Sequence, residues 1–202
     1  MTIRDGTIDD RRAYNVKDED GNYALRVTGT SGDLRLEGLT VNQYDPIITD
    51  LKNGSYNYAV MALNGATLTI GQGTKLIAQS NQGDYETYGV VGVGVIGDVD
   101  NTTSLTVEEG AYIDMTAFAI AGNGTNDGTE FTIKGGQIYS DTFVIYHPQG
   151  GKLNIGGGTL EGPNGVYFSG YGELNISDGQ ITATADRAEA PFKDPSEGDG
   201  PA

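Results

Sequence analysis

The stretch LNIGGGTLEGPNGVYFSGYGELNISDGQI, residues 153–181, states nearly the same phrase twice. Leu153-Asn154-Ile155 is followed by glycines and Leu160, and Leu174-Asn175-Ile176 by Gly179 and Ile181. Neither a helix nor a catalytic loop asks a phrase to return after 21 residues; a stack of coils does.

The same phrase, apolar–polar–apolar, a turn with glycine, then apolar, runs back to the first residue. Met1-Thr2-Ile3 leads through Gly6 to Ile8, and Leu34-Arg35-Leu36 through Gly38 to Val41. Leu68-Thr69-Ile70 leads through Gly73 to Leu76, Leu105-Thr106-Val107 through Gly110 to Ile113, and Phe131-Thr132-Ile133 through Gly136 to Ile138. The seven starts are separated by 33, 34, 37, 26, 22 and 21 residues. A constant phrase with variable gaps describes a fixed cross-section from which loops of different size hang.

Each interval holds a second apolar string behind a small residue: Ala24–Val27, Ala59–Ala62, Gly89–Gly92, Ala117–Ile120, Thr142–Ile145 and Gly165–Phe168. Alternation with period two sends one set of side chains inward and the other outward. The expected core column is Leu34, Leu68, Leu105, Phe131, Leu153 and Leu174, with Thr2, Thr69, Thr106, Thr132, Asn154 and Asn175 as an outer polar ladder that Arg35 interrupts. Three short strands per interval make one rung of a parallel β-helix, so the fold class is all-β with about seven rungs. Glycine argues against helices, being 32 of 202 residues and present in every candidate segment. At about 4.8 Å per rung the rod is roughly 34 Å long.

The phrase with its "GVYF"-type strand resembles the right-handed, pectin-lyase-like β-helix repeats of large surface proteins of bacteria, gut Firmicutes in particular. The resemblance covers residues 1–184 and implies a right-handed coil. Domains of that kind include polysaccharide lyases and hydrolases, carbohydrate-binding modules and adhesins, so it speaks for architecture more than for activity.

Composition narrows the function. The formal charge is −16, and the 12 lysines and arginines are scattered. Nucleic acid and anionic lipid, which need basic clusters, are not expected partners. Cysteine is absent, so no disulfide staples the coil. No apolar run is long enough for a membrane helix, and no membrane insertion by this segment is expected. Residues 185–202, acidic and carrying Pro191, Pro195 and Pro201, read as a flexible linker. The chain reads as a piece of a longer extracellular or cell-surface protein whose targeting signals lie elsewhere.

Catalytic candidates are sparse. Asp5, Glu37, Glu108, Glu109 and Asp178 fall in the turn after the phrase but skip rungs, whereas glycoside hydrolysis needs two carboxylates facing one sugar. His147, the one histidine, precedes Pro148 and reads as a turn residue closing the fifth rung. Asp98, Asp100 and Glu109 imitate an EF-hand spacing, but Thr103 stands where glycine is required; Asp18 and Asp20 form a similar fragment. These carry at most weak Ca²⁺ binding, and no cofactor or catalytic residue is assigned.

Tyrosine is more informative, at 12 residues with no tryptophan. Tyr23, Tyr58 and Tyr88 each precede the small residue of the third strand, as one column would, with Tyr56 and Tyr85 just before two of them in the longer loops. Stacked aromatics anchor sugars or protein partners, and long loops on one face of a repeat stack often mark its binding face. The expected function is therefore a non-catalytic binding or adhesion module, with these five tyrosines as the ligand face. Its partner would be a host glycoprotein (mucin or an immunoglobulin, for example), a polysaccharide, or neighbouring domains of its own chain. A spacer rod and a fragment of a polysaccharide lyase or glycoside hydrolase are the alternatives.

Overall fold

The structure, a computed structural model, describes residues 1–11, 22–44, 57–79, 90–97, 100–122, 128–169 and 172–184. Among the described residues there is no helix, and every strand pairing is parallel. The chain winds as a β-solenoid.

Phrase strands stack in the order Thr2–Arg4, Asp33–Glu37, Thr67–Ile70, Thr103–Val107, Thr129–Ile133, Gly151–Gly162 and Gly172–Ala183. The strands after the turn, Thr7–Asp10, Thr40–Tyr44, Lys75–Gln79, Tyr112–Met115 and Gln137–Ser140, stack beside them. These two stacks are joined through Gly151–Gly162, which runs unbroken through its turn. A separate sheet holds Asn22–Thr28, Asn57–Leu63, Val90–Ile96, Ile120–Gly122, Phe143–His147 and Asn164–Phe168.

The expected core column is present. Leu34, Leu68, Leu105, Phe131, Leu153 and Leu174 are successive partners, one per rung. Ile8, Val41, Leu76, Ile113, Ile138, Leu160 and Ile181 form the matching column behind the turn. Facing outward are Thr2, Arg35, Thr69, Thr106, Thr132, Asn154 and Asn175 in register, with Asn175 Nδ2 donating to Asn154 Oδ1 at 3.1 Å.

Glycine punctuates the phrase because the turn is left-handed. Gly6, Gly38, Gly73, Gly110, Gly136, Gly158 and Gly179, one per rung, have φ between +64° and +107°. L side chains rarely adopt such values, so the turn selects glycine.

The third sheet departs from expectation in register. Leu25, Val60, Val93, Ile120, Ile145 and Val166 are the paired residues. The residue preceding each is therefore Ala24, Ala59, Gly92, Ala119, Val144 and Gly165, small on every rung but the fifth. Relative to the sequence reading the strand slips by three residues on the third rung and by two on the fourth and fifth. Alternation also breaks at this corner: Ala59 and Val60, Ala119 and Ile120, Val144 and Ile145 all lie in the one core.

Candidate functional site

The register settles part of the tyrosine column. Tyr23 pairs with Tyr58, but Tyr58 pairs next with Val91, so Val91 holds the place expected for Tyr88. Tyr56, Tyr85 and Tyr88 lie outside the described residues, as do Asp18, Asp20, Asp98 and residues 185–202. The Tyr23 hydroxyl accepts from Arg26 at 3.2 Å, and the guanidinium sits 5.3 Å from the ring centre. The Tyr58 ring lies against the sheet over Gly94, where a methyl group would come within 2.6 Å of two ring carbons.

Further along this sheet lies an aromatic assembly that the sequence reading missed. Phe118 stacks on Tyr146 and Tyr146 on Tyr167, each pair at 5.0 Å and nearly parallel. Phe143 packs against Phe118, Tyr146 and Tyr167 at about one further ångström. The stacking follows the rung repeat, so the rings present mainly their edges outward. Val91, Ala117, Phe118, Ala121 and Phe143 are buried together as a second, smaller cluster. Rings that cover one another's faces stabilise the coil and leave little flat surface for a sugar.

An open groove of about 820 Å³ lies along the turn and the strand behind it, over rungs three to seven. Six glycines of the turn line it, Gly110, Gly135, Gly136, Gly156, Gly157 and Gly158, together with Ile77, Glu109 and Ala111. One outward column supplies a wall, with Lys75, Tyr112, Gln137 and Thr159 as successive partners. Lys134 and Asp178 also line it. The Tyr112 hydroxyl donates to Asp114 at 2.9 Å, and burial together with that carboxylate pushes the phenol up to about 12. Tyr139 packs beside Tyr112, with ring centres 5.7 Å apart. A cation, a phenol, an amide and a hydroxyl thus follow one another at one-rung intervals beside a glycine-rich turn. Such a surface can hydrogen-bond an extended, neutral or mildly charged ligand.

A second groove, of about 590 Å³, is charged. Arg35 donates to Glu37 at 2.6 Å and bidentately to Glu108 at 2.5 and 2.9 Å, and Arg4 pairs with Glu37 at 2.9 Å. Hydrogen bonds from Arg35 hold both carboxyls below the ordinary range and raise its own pKa. Carboxylates so held accept bonds; they are poor proton donors at neutral pH.

His147 is a core residue and not a turn residue. It ends the strand Phe143–His147, is fully buried, stacks on Phe168 at 5.0 Å and meets the Phe131 ring edge-on at 4.9 Å. Thr129 Oγ1 lies 3.4 Å from its Nε2. Burial lowers its pKa. Strand alternation carries it inside: His147 pairs with Phe168 in the inward position while Tyr146 points out beside Tyr167.

Among the described residues no group of three histidines, cysteines or acids is placed to hold a metal. No described helix is long and apolar enough to cross a membrane. Compared with known proteins, the chain matches no family model, no curated protein and no solved structure at a significant level.

Proposed function

We propose that this solenoid is a non-catalytic binding module that takes an extended polysaccharide, or the glycan of a host glycoprotein, along the glycine-lined groove. Tyr112 offers an apolar ring edge and a hydroxyl, Gln137 an amide, Thr159 a hydroxyl and Lys75 a cation. Sugars, with apolar faces and a fringe of hydroxyls, are recognised by such mixtures of aromatic and hydrogen-bonding groups. The single observation that carries the reading is the register Lys75–Tyr112–Gln137–Thr159. It repeats a hydrogen-bonding group at about 4.8 Å, close to the length of one sugar unit. The setting proposed is a secreted or cell-surface bacterial protein of the pectin-lyase-like kind, acting as an adhesin; the repeat phrase supports that part. The tyrosine corner, Tyr23 and Tyr58 with Tyr56, Tyr85 and Tyr88 near them in sequence, is the alternative ligand face.

Lyase or hydrolase activity fits the charged groove less well, because Arg35 holds both of its bridged carboxylates, Glu37 and Glu108, in hydrogen bonds. A spacer rod is favoured by a different observation, the unbroken core column of the phrase strands. A glycan array run beside a pull-down from host glycoproteins separates the readings. Capture of a glycan supports the module, while silence in both supports the rod.

A further inference from the structure

We infer that the outer face of the strands behind the turn, beside the groove, docks a basic segment of a partner protein, one arginine of which seats over Tyr139 between Asp114 and Glu161. The face is a single outward column. Asp9, Asn42, Ile77, Asp114, Tyr139 and Glu161 are successive partners, one per rung. Each immediately follows a residue of the inward column Ile8, Val41, Leu76, Ile113, Ile138 and Leu160, so strand alternation turns it outward. Three of the six carry a carboxylate, and none is a lysine or an arginine.

The middle of the column suits a flat cation. Asp114, Tyr139 and Glu161 place an acid, an aromatic ring and an acid on three consecutive rungs, all three half-buried. At about 4.8 Å per rung the two acidic positions flank the ring, roughly 10 Å apart. Tyr112 donates to one Asp114 oxygen at 2.9 Å and packs beside Tyr139, which orders that carboxylate and both rings and leaves the second oxygen to accept. Asp141 follows the strand Gln137–Ser140 directly. Partial desolvation and the neighbouring Asp114 push its carboxyl up, so two like charges lie close together here. Among the described residues the ion pairs engage Glu37, Glu108 and Glu173, and none reaches Asp114, Asp141 or Glu161.

Charge complementarity names the occupant. The chain carries −16, which draws a basic partner in and turns an acidic one away. A guanidinium fits the middle of the column better than an ammonium, because it lies flat on a tyrosine ring and donates in its own plane to carboxylates on either side. The chain makes the first of these contacts within itself elsewhere: the Arg11 guanidinium lies 4.3 Å from the Tyr44 ring centre. The acids extend over three rungs of an open face, farther than one small cation reaches. The occupant is therefore a protein segment with more than one basic residue.

Two labelled peptides of equal length test this, one of glycine and serine with arginine at alternate positions and one with citrulline in place of each arginine. Fluorescence anisotropy measures their binding to the parent chain, Tyr139→Ala, Glu161→Gln and Glu130→Gln, in low and high salt. Circular dichroism establishes that each variant is folded, with Tyr139→Leu as a substitute should Tyr139→Ala fail. Glu130 lies in the phrase strand Thr129–Ile133, in a different stack, and controls for the loss of one charge. The expected result is binding of the arginine peptide alone, weakened by salt. Its affinity should fall about tenfold in Tyr139→Ala and in Glu161→Gln and stay within about twofold in Glu130→Gln. Failure of the arginine peptide to bind at low salt overturns the inference. So do equal losses in Glu161→Gln and Glu130→Gln, which would assign the attraction to net charge. Spermine binding as tightly as the peptide, with the same losses in the variants, would make the site one for a small cation and overturn it too.

Discussion

Arg35 and Glu108 lie 73 positions apart in the chain and share an ion pair of 2.5 Å that passes over a whole rung. The intervening rung makes room with Gly71, where a methyl group would come within 3.2 Å of the Arg35 Nη2. Glu37, Gly71 and Glu108 follow one another across the rungs, and the guanidinium ties the outer two together.

Arg35→Met should therefore lower the melting temperature most at low ionic strength, because Glu37 and Glu108 then face each other without the cation. The wild-type advantage should be present above the unfolded carboxylate value of about 4.3 and shrink as pH falls through the lower folded values of these two groups. Thermal unfolding at pH 7 and pH 3, in low and high salt, measures this. A difference independent of both would assign the effect to lost packing.

Phe131 is fully buried between Leu105 and Leu153 in the core column. Phe131→Ala should cost about 3–5 kcal/mol, because the rungs above and below are too tightly constrained to close the cavity. Phe131→Asp should abolish cooperative unfolding by placing an unpaired charge in that column. Denaturant titration reads both.

His147 gives a pH dependence of the opposite origin. Its folded pKa is lowered by burial, so the unfolded chain binds the proton more readily. Stability should fall as pH drops below about 6.5, the unfolded value, until the folded value is passed. His147→Phe, which copies its partner Phe168, should flatten the stability profile between pH 7.5 and 5.5. A slope unchanged by the substitution would assign the dependence to other groups.

The glycine column yields a paired comparison. Gly158→Ala puts a side chain on a residue with φ +92° and brings its Cβ within 2.9 Å of the Gly136 carbonyl, so it should cost at least about 1–2 kcal/mol. Gly156→Ala, whose Cβ would meet nothing closer than 3.6 Å, should be nearly neutral. Equal effects would show that glycine is required there for some reason other than the turn.

The phrase strands and the strands behind them were legible because a left-handed glycine marks the turn between them on every rung. Leu34 through Leu174 could be aligned by that mark alone. The third strand has no such mark. In GVVGVGVIG, residues 89–97, glycine recurs at 89, 92, 94 and 97, and alternation with period two tolerates several alignments. That ambiguity put Tyr88 where Val91 stands. It also hid the inward position of His147, although Val166-Tyr167-Phe168, aligned on Ile145-Tyr146-His147, carries the signal. The groove was overlooked because Lys75, Tyr112, Gln137 and Thr159 differ in type. Their shared trait is positional: each immediately precedes the inward apolar residue after the turn.

The most direct test of the binding account is the affinity of the captured glycan for the parent chain, Tyr112→Ala and Tyr58→Ala, each verified as folded. The account predicts a loss of roughly tenfold or more for Tyr112→Ala, the effect of removing an aromatic anchor worth at least about 1.4 kcal/mol, and little change for Tyr58→Ala. Unchanged affinity in Tyr112→Ala together with loss in Tyr58→Ala would contradict it and return the ligand to the tyrosine corner.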